Sequence, residues 1–308
     1  AMLINDAWCR FLLECDVGIG VSIDGPRELH DRKRKTRSGK STFDKTLAGI
    51  HCLQANGVPF HVLSVVSSKT IAMPDELLDF YISEGIDKVC FNVEESEGNY
   101  VSDLFAAGKE GPDLRTRFAG FLRRFWHRAR ASGKVQFVRE IDHTLPRIFR
   151  PDGETARNIQ TEPLAMINVD SYGNVSSFSP ELLGMKNKDY DDFLLGNITV
   201  NSLTEIHEAC VRSALYRDIQ VGVRACQANC EYFSVCGAGA PVNKLFENGS
   251  FTGTTTSFCT LTQMVPTDLI LEAYDRLEED WAAHDAKTPA SPNPPTATEA
   301  AAPSSRIS

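Results

Sequence analysis

Four cysteines carry the strongest chemical signal in this chain. Cys226, Cys230, Cys236 and Cys259 follow a C-x3-C-x5-C-x22-C pattern within a glycine-rich stretch. Four thiolates on short, irregular backbone are a ligand set for a tetrahedral metal ion or an iron–sulfur cluster. Gly237, Gly239 and Gly249 suit a loop that must bend tightly and bring backbone N–H groups up to sulfur. Zinc sites usually open on C-x2-C, so the three- and five-residue gaps here favour a [4Fe–4S] cluster, with structural zinc as the alternative.

A disulfide framework is the weaker reading. The chain has nine cysteines, an odd number, and its first twenty residues place Asp6, Arg10, Glu14 and Asp16 among the apolar positions, which no secretory segment tolerates. A cytoplasmic protein with reduced thiols is expected. Cys9, Cys15, Cys52, Cys90 and Cys210 sit singly on apolar helix or strand positions and are expected to pack in the core. The seven histidines contain no pair at helical ligand spacing.

Two phosphate-loop lookalikes fail. Gly39-Lys40-Ser41 has Arg34 where the leading glycine belongs, and Gly18-x-Gly20 has Ile23 where a third glycine is needed. The basic run of Arg32, Lys33, Arg34, Lys35 and Arg37 reads as a solvated loop. It follows the carboxyl end of the first strand, where α/β sheets place ligands, so an anionic group is a candidate partner there. With 32 basic against 41 acidic residues the formal charge is −9, which repels nucleic acid and anionic lipid. No apolar run approaches the roughly eighteen residues of a membrane span.

The elements that must position the cysteines alternate. Periodicity predicts a helix over 3–15, a buried strand over 17–23, a helix over 41–56, a strand over 60–67, a helix over 74–84 and a strand near 88–94. That is the rhythm of a parallel sheet. A longer amphipathic helix over 112–131 follows, with Phe118, Phe121, Leu122, Phe125 and Trp126 on one face and solvated arginines on the other. Beyond it come a hairpin turning at 171–174, a helix over 203–216 leading into the cysteine-rich loop, and a last helix over 257–283 disturbed at Pro266. From Lys287 onward Pro, Ala, Ser and Thr dominate, and a disordered tail is expected. The domain division is 1–135, 136–283 and a tail over 284–308.

Ser22, Ile23, Asp24, Gly25 and Pro26, followed by Glu28, Leu29, His30, Asp31 and the run from Gly39 to Phe43, resemble the fourth-strand region of radical S-adenosylmethionine (SAM) enzymes with a C-terminal SPASM domain. The stretch Ser179, Pro180, Glu181, Leu182, Leu183, Gly184, and then the cysteines with Pro241, Asn243, Lys244, Leu245, Glu247, Asn248 and Gly249, is similar to cyclophane-forming peptide maturases that act on glycine-rich-repeat precursors. The likeness runs from about residue 2 to residue 280.

The resemblance implies an α/β fold: an incomplete (β/α)6 radical SAM barrel, its last three βα units, followed by a SPASM-type cysteine-rich domain. In the family, SAM sits over a cluster held by a C-x3-C-x2-C loop and is cleaved to a 5′-deoxyadenosyl radical. This chain contains no C-x3-C-x2-C. SAM is therefore expected only in the complete enzyme, and the strand over 17–23 is left with an unpaired edge. The resemblance carries Ser22, Asp24 and Arg34 over to the ribose and carboxylate side of the SAM pocket, with Asn92 and Glu94 facing the barrel mouth. It implies one auxiliary [4Fe–4S] cluster, a precursor peptide as substrate and an external electron donor. Relatives that oxidise sulfatases have a Cys-Asp pair where Phe178-Ser179 stand here, which disfavours formylglycine chemistry; Glu181 is a candidate replacement base. A sulfatase-maturase-like oxidase and a non-catalytic zinc or iron–sulfur module remain the alternatives.

Overall fold

A computed structural model of the chain describes residues 1–95, 102–107, 114–150 and 155–285, with side chains as far as 276. The expected disordered tail lies almost wholly outside the described residues. Residues 1–270 form one compact unit and 271–308 a second.

The first half alternates: α1 (Asp6–Glu14), β1 (Ile19–Ser22), α2 (Arg27–Lys33), α3 (Phe43–Ala55), β2 (Phe60–Val66), α4 (Pro74–Ser83), β3 (Lys88–Val93), α5 (Asp103–Ala107), α6 (Leu114–Ser132) and β4 (Phe137–Val138). The strands pair in parallel in the order β1-β2-β3-β4, with Val21 opposite Val62, Val62 opposite Val89 and Val89 opposite Val138. Helical crossovers make that arrangement possible, because parallel neighbours cannot be joined by a tight turn. β1 lies at one edge of the sheet.

One face of the sheet is covered by helices whose apolar residues recur every three or four positions. On α6 these are Leu114, Phe118, Phe121, Leu122, Phe125 and Ala129. Phe91 on β3 meets Phe121 and Phe125 edge-on at 5.1 and 4.8 Å, and Phe125 also reaches Tyr81 at 6.3 Å. Such contacts add to the hydrophobic gain of burial. The arginines on the outer face are not merely solvated: Arg124 and Arg128 pair with Asp75, and Arg128 with Asp79.

After α7 (Arg139–Asp142) and α8 (Leu145–Ile148), the second half begins with a three-stranded antiparallel sheet of β5 (Ile167–Val169), β6 (Asn174–Ser177) and β7 (Gly196–Asn197). α9 (Leu203–Arg212) and α10 (Ala214–Asn229) follow, then α11 (Phe233–Cys236), α12 (Pro241–Asn248), α13 (Ser257–Cys259) and α14 (Val265–Asp285). Val175, Phe178, Phe193, Ile206, Ile219 and Phe251 centre a second apolar cluster. No helix among the described residues is long and apolar enough to cross a membrane.

Three expectations need correction. The single helix expected over 203–216 is two: Ser213 accepts a hydrogen bond from Tyr216 N at 3.0 Å and caps a new helix. That helix runs on to Asn229, so Cys226 lies on α10 and not in a loop. The disturbance near Pro266 is a π-helical turn over Thr260–Met264 that leads into α14. Of the five isolated cysteines, Cys9, Cys90 and Cys210 are buried and Cys52 half-buried, but Cys15 is exposed as the C-cap of α1, because only the Cys9 and Leu12 side of that helix faces the core.

Truncating Phe125 to alanine should cost about 3–5 kcal/mol in urea unfolding of the chain, because the ring is fully buried among three other aromatic rings.

Candidate metal centre and adjoining cavity

The four cysteines reach one place from three segments. Cys226 sits in the last turn of α10 and Cys230 is its C-cap. Cys236 ends α11, where Gly237 turns the chain in the left-handed region at φ 65°. Cys259 ends α13, beneath a capping arrangement in which Thr256 N donates to its Sγ at 3.2 Å. All four line a single small cavity, closed in part by Tyr232 and Met264. Tyr232 is fixed from outside, donating to Asp268 Oδ1 at 2.8 Å, while Arg115 donates to Asp268 Oδ2 at 2.7 Å.

Burial holds the Cys236 thiol above its ordinary value; the N–H groups of Ala238 and Gly239 work against that, and the neighbouring Cys230 and Cys259 reinforce it. That mutual influence places three of the sulfurs in each other's field. Lys244 Nζ on α12 donates to Cys226 Sγ at 3.3 Å. Among the described residues, no three His, Cys, Asp or Glu side chains close around a point for one metal ion. A lone zinc would need its sulfurs at about 2.3 Å from a common centre. A [4Fe–4S] cluster takes one thiolate on each of four irons, and four cysteines on the wall of one cavity match that ligand count.

A second, open cavity of about 410 Å³ lies at the carboxyl ends of the parallel strands, where ligands bind in α/β sheets. Asp24, Arg34, Asn92 and Glu94 line it together; Ser22 does not. Of the basic run, Arg32, Lys33, Lys35 and Arg37 are exposed as expected, and Arg34 alone turns inward. Arg34 Nε and Nη2 donate to Asp24 at 2.6 and 3.1 Å, and the exposed Lys33 reaches over the rim to lie 3.2 Å from Glu94 Oε1. Asp24 Oδ1 also accepts from Val65 N at 2.9 Å, so this carboxylate ties β1 to β2 at the cavity rim. Asn92 Oδ1 accepts from Arg139 Nη2 at 2.8 Å.

Sequence reasoning did not place the opposite wall, which Glu181 and the α12 residues Val242 and Phe246 supply. The Glu181 carboxylate accepts from the Ser179 hydroxyl. Phe178, just before, is fully buried in the left-handed region at φ 71° and stacks on Tyr216, a strained turn that its packing holds in place.

The loop carrying Asp24 and Arg34 is held by a relay through His30. Thr42 Oγ1 donates to Arg34 O at 2.6 Å, so it accepts from His30 Nε2 at 3.0 Å, and His30 Nδ1 accepts from Asp24 N. The ring is therefore the neutral Nε2–H tautomer.

No family model matches the chain. It is 36% identical over 258 residues to an uncharacterized protein of Synechocystis sp., covering 84% of this chain and 64% of that protein. Over 257 residues it is 26% identical to the serine-type anaerobic sulfatase-maturating enzyme of Bacteroides thetaiotaomicron, covering 79% and 59%. The chain thus spans less than two thirds of either relative's length. Among solved structures, native anSMEcpe with bound AdoMet aligns with a TM-score of 0.65 at 21% identity, over 93% of this chain and 74% of that one. Native anSMEcpe with AdoMet and Kp18Cys peptide gives 0.62 at 20%, over 90% and 73%. The α/β fold with its parallel sheet resembles that of the anSMEcpe structures, and the sequence is similar to anaerobic sulfatase-maturating enzymes.

Burial pulls the His30 pKa below its ordinary 6.5, outweighing the pull of Asp24 and Asp31. A histidine whose folded pKa is depressed favours the folded state fully above its unfolded value and less as pH falls through about 6.5. The urea midpoint should therefore drop on acidification below that pH, and the drop should flatten in His30→Gln, which lacks the titrating ring.

Proposed function

We propose that this chain is the C-terminal portion of a radical SAM/SPASM enzyme that cross-links side chains of a ribosomally made precursor peptide. Residues 1–135 form its partial barrel and 136–283 its SPASM-like domain. Cys226, Cys230, Cys236 and Cys259 hold an auxiliary [4Fe–4S] cluster. SAM binds in the complete enzyme, with Asp24, Arg34, Asn92 and Glu94 on its side of the large cavity and Ser22 at the end of β1 outside the lining, and an external donor supplies electrons. The observation that carries this reading is the arrival of four thiols, from three segments, on the walls of one cavity.

When bound, such a cluster supplies a one-electron acceptor, which a cyclised aromatic radical needs in order to regain aromaticity. The chain's own residues do the rest. Val242 and Phe246 give the large cavity an apolar wall for an aromatic side chain, and Glu181 holds a proton-accepting carboxylate in the same space. Ser179 orients that carboxylate through its hydroxyl. The Asp24–Arg34 pair and the Lys33–Glu94 pair fix the strand-end rim with charges already balanced.

A second reading, oxidation of a peptide residue to formylglycine, is favoured by the homology to sulfatase-maturating enzymes. The two separate in the product. Cross-linking removes two hydrogens and leaves no carbonyl; oxidising a serine also removes two hydrogens but leaves an aldehyde. Mass alone therefore does not discriminate, and an aldehyde-reactive hydrazide does. The complete enzyme should give a product with the lost hydrogens, no hydrazide adduct and a fragmentation gap spanning the joined residues.

The metal is tested on this chain alone. Anaerobically purified protein should bind about four iron atoms and absorb broadly in the visible, as thiolate-bound clusters do. Replacing Cys230 or Cys236 with alanine should abolish both. Stoichiometric zinc in place of iron would leave the non-catalytic module as the reading.

A further inference from the structure

Lys244 lies midway along α12 with only 3% of its surface exposed. Its ammonium donates to Cys226 Sγ at 3.3 Å and to Gly222 O at 3.3 Å, and no carboxylate pairs with it among the described residues. A buried ammonium is costly unless a negative group balances it. The one acceptor within its reach that can carry full negative charge is the sulfur of a proposed cluster ligand.

The fold makes room for this contact. A Cβ at position 222 would stand 2.1 Å from Phe251 O and 3.3 Å from Lys244 Nζ, so only glycine lets α10, the Phe251 segment and the ammonium meet. The neighbouring residues of α12 are engaged elsewhere. Asn243 donates to Glu95 Oε2 at 2.7 Å, while Glu247 accepts from Ser257 N and Phe258 N at 2.5 and 3.0 Å beside Cys259. The helix is thus pinned on both sides, and the buried Lys244 side chain extends from it to Cys226.

We infer that Lys244 is a positioning residue whose ammonium hydrogen-bonds the Cys226 ligand and raises the reduction potential of the auxiliary cluster. The inference rests on the cluster proposed above. Four thiolates leave such a cluster anionic, and one-electron reduction adds a further negative charge. A fixed positive charge at 3.3 Å from a ligand sulfur stabilises the reduced form more than the oxidised one. The electron left by the substrate is then accepted more readily.

The test uses the full chain, reconstituted anaerobically, with dithionite as reductant and EPR-monitored potentiometry as readout. At a fixed solution potential, Lys244→Met should lower the ratio of reduced to oxidised cluster by about tenfold or more, equivalent to a 59 mV downward shift for a one-electron couple. Lys244→Arg, which keeps the charge, should stay near the wild-type ratio. An iron-loaded Lys244→Met with an unchanged ratio overturns the inference. A measurement on the unsubstituted protein does not depend on the variants folding: with lysine labelled by 15N at the side chain, pulsed EPR of the reduced cluster should show a 15N coupling, and its absence overturns the inference. Wild-type protein that holds no iron sinks the cluster reading instead, so the two failures are distinguishable.

Discussion

Holding four sulfurs around one small volume is the constraint on which the carboxyl-side half of this structure depends, because the sulfurs arrive on separate segments and thiols do not attract one another. The chain solves it with a short helix used as a clamp. α12 touches the α10 cysteine through Lys244, the segment leading to Cys259 through Glu247, and the end of the parallel sheet through Asn243. Its opposite face, Val242 and Phe246, is a wall of the large cavity. Eight residues therefore join the cysteine site to the space where a substrate would lie. Displacement of this helix would disturb both places together.

The elements that the sequence makes legible are those whose patterns are strong and local. The three longer strands and the helices between them follow from β-branched runs and from apolar residues at three- and four-residue spacing, and they lie within a few residues of their expected bounds. The cysteine spacing marks the second site because metal-ligand patterns are sparse and specific. What escapes the sequence is pairing at a distance. Arg34 reads as part of a basic loop, yet it folds back on Asp24 ten residues earlier; no periodicity reports such a contact. Glu181 is named from the sequence as a candidate base, but its place on the large cavity, like the burial of Lys244 against sulfur, comes only from the tertiary arrangement. The break at Ser213 had a visible signal, a serine followed three residues later by the first turn's free N–H, but an apolar pattern continuous across it concealed the cap.

Several charges around the large cavity are tied into pairs at the strand ends, although its lining holds more carboxylates than cations. Asp24 is neutralised by Arg34 and Glu94 is paired with Lys33, while Arg139 joins Asn92 and Glu140 at the next strand. Partly buried charge-assisted bonds of this kind fix geometry more than they add stability, since desolvation offsets much of the attraction. Their value at a cavity rim is rigidity: a carboxylate held by a guanidinium and a backbone N–H does not swing into an incoming ligand.

Homology to sulfatase-maturating enzymes and a cross-linking reaction make different demands on the turn after β6. A base that removes a proton from a substrate hydroxyl or thiol must sit within hydrogen-bond reach of that atom. Here Ser179 is buried, and its hydroxyl is committed to Glu181. The carboxylate of this turn, Glu181, lies two residues further on, and Phe178, just before Ser179, takes the left-handed conformation at φ 71°. Glu181 lines the large cavity together with Val242 and Phe246, so its carboxylate and that apolar wall face one space.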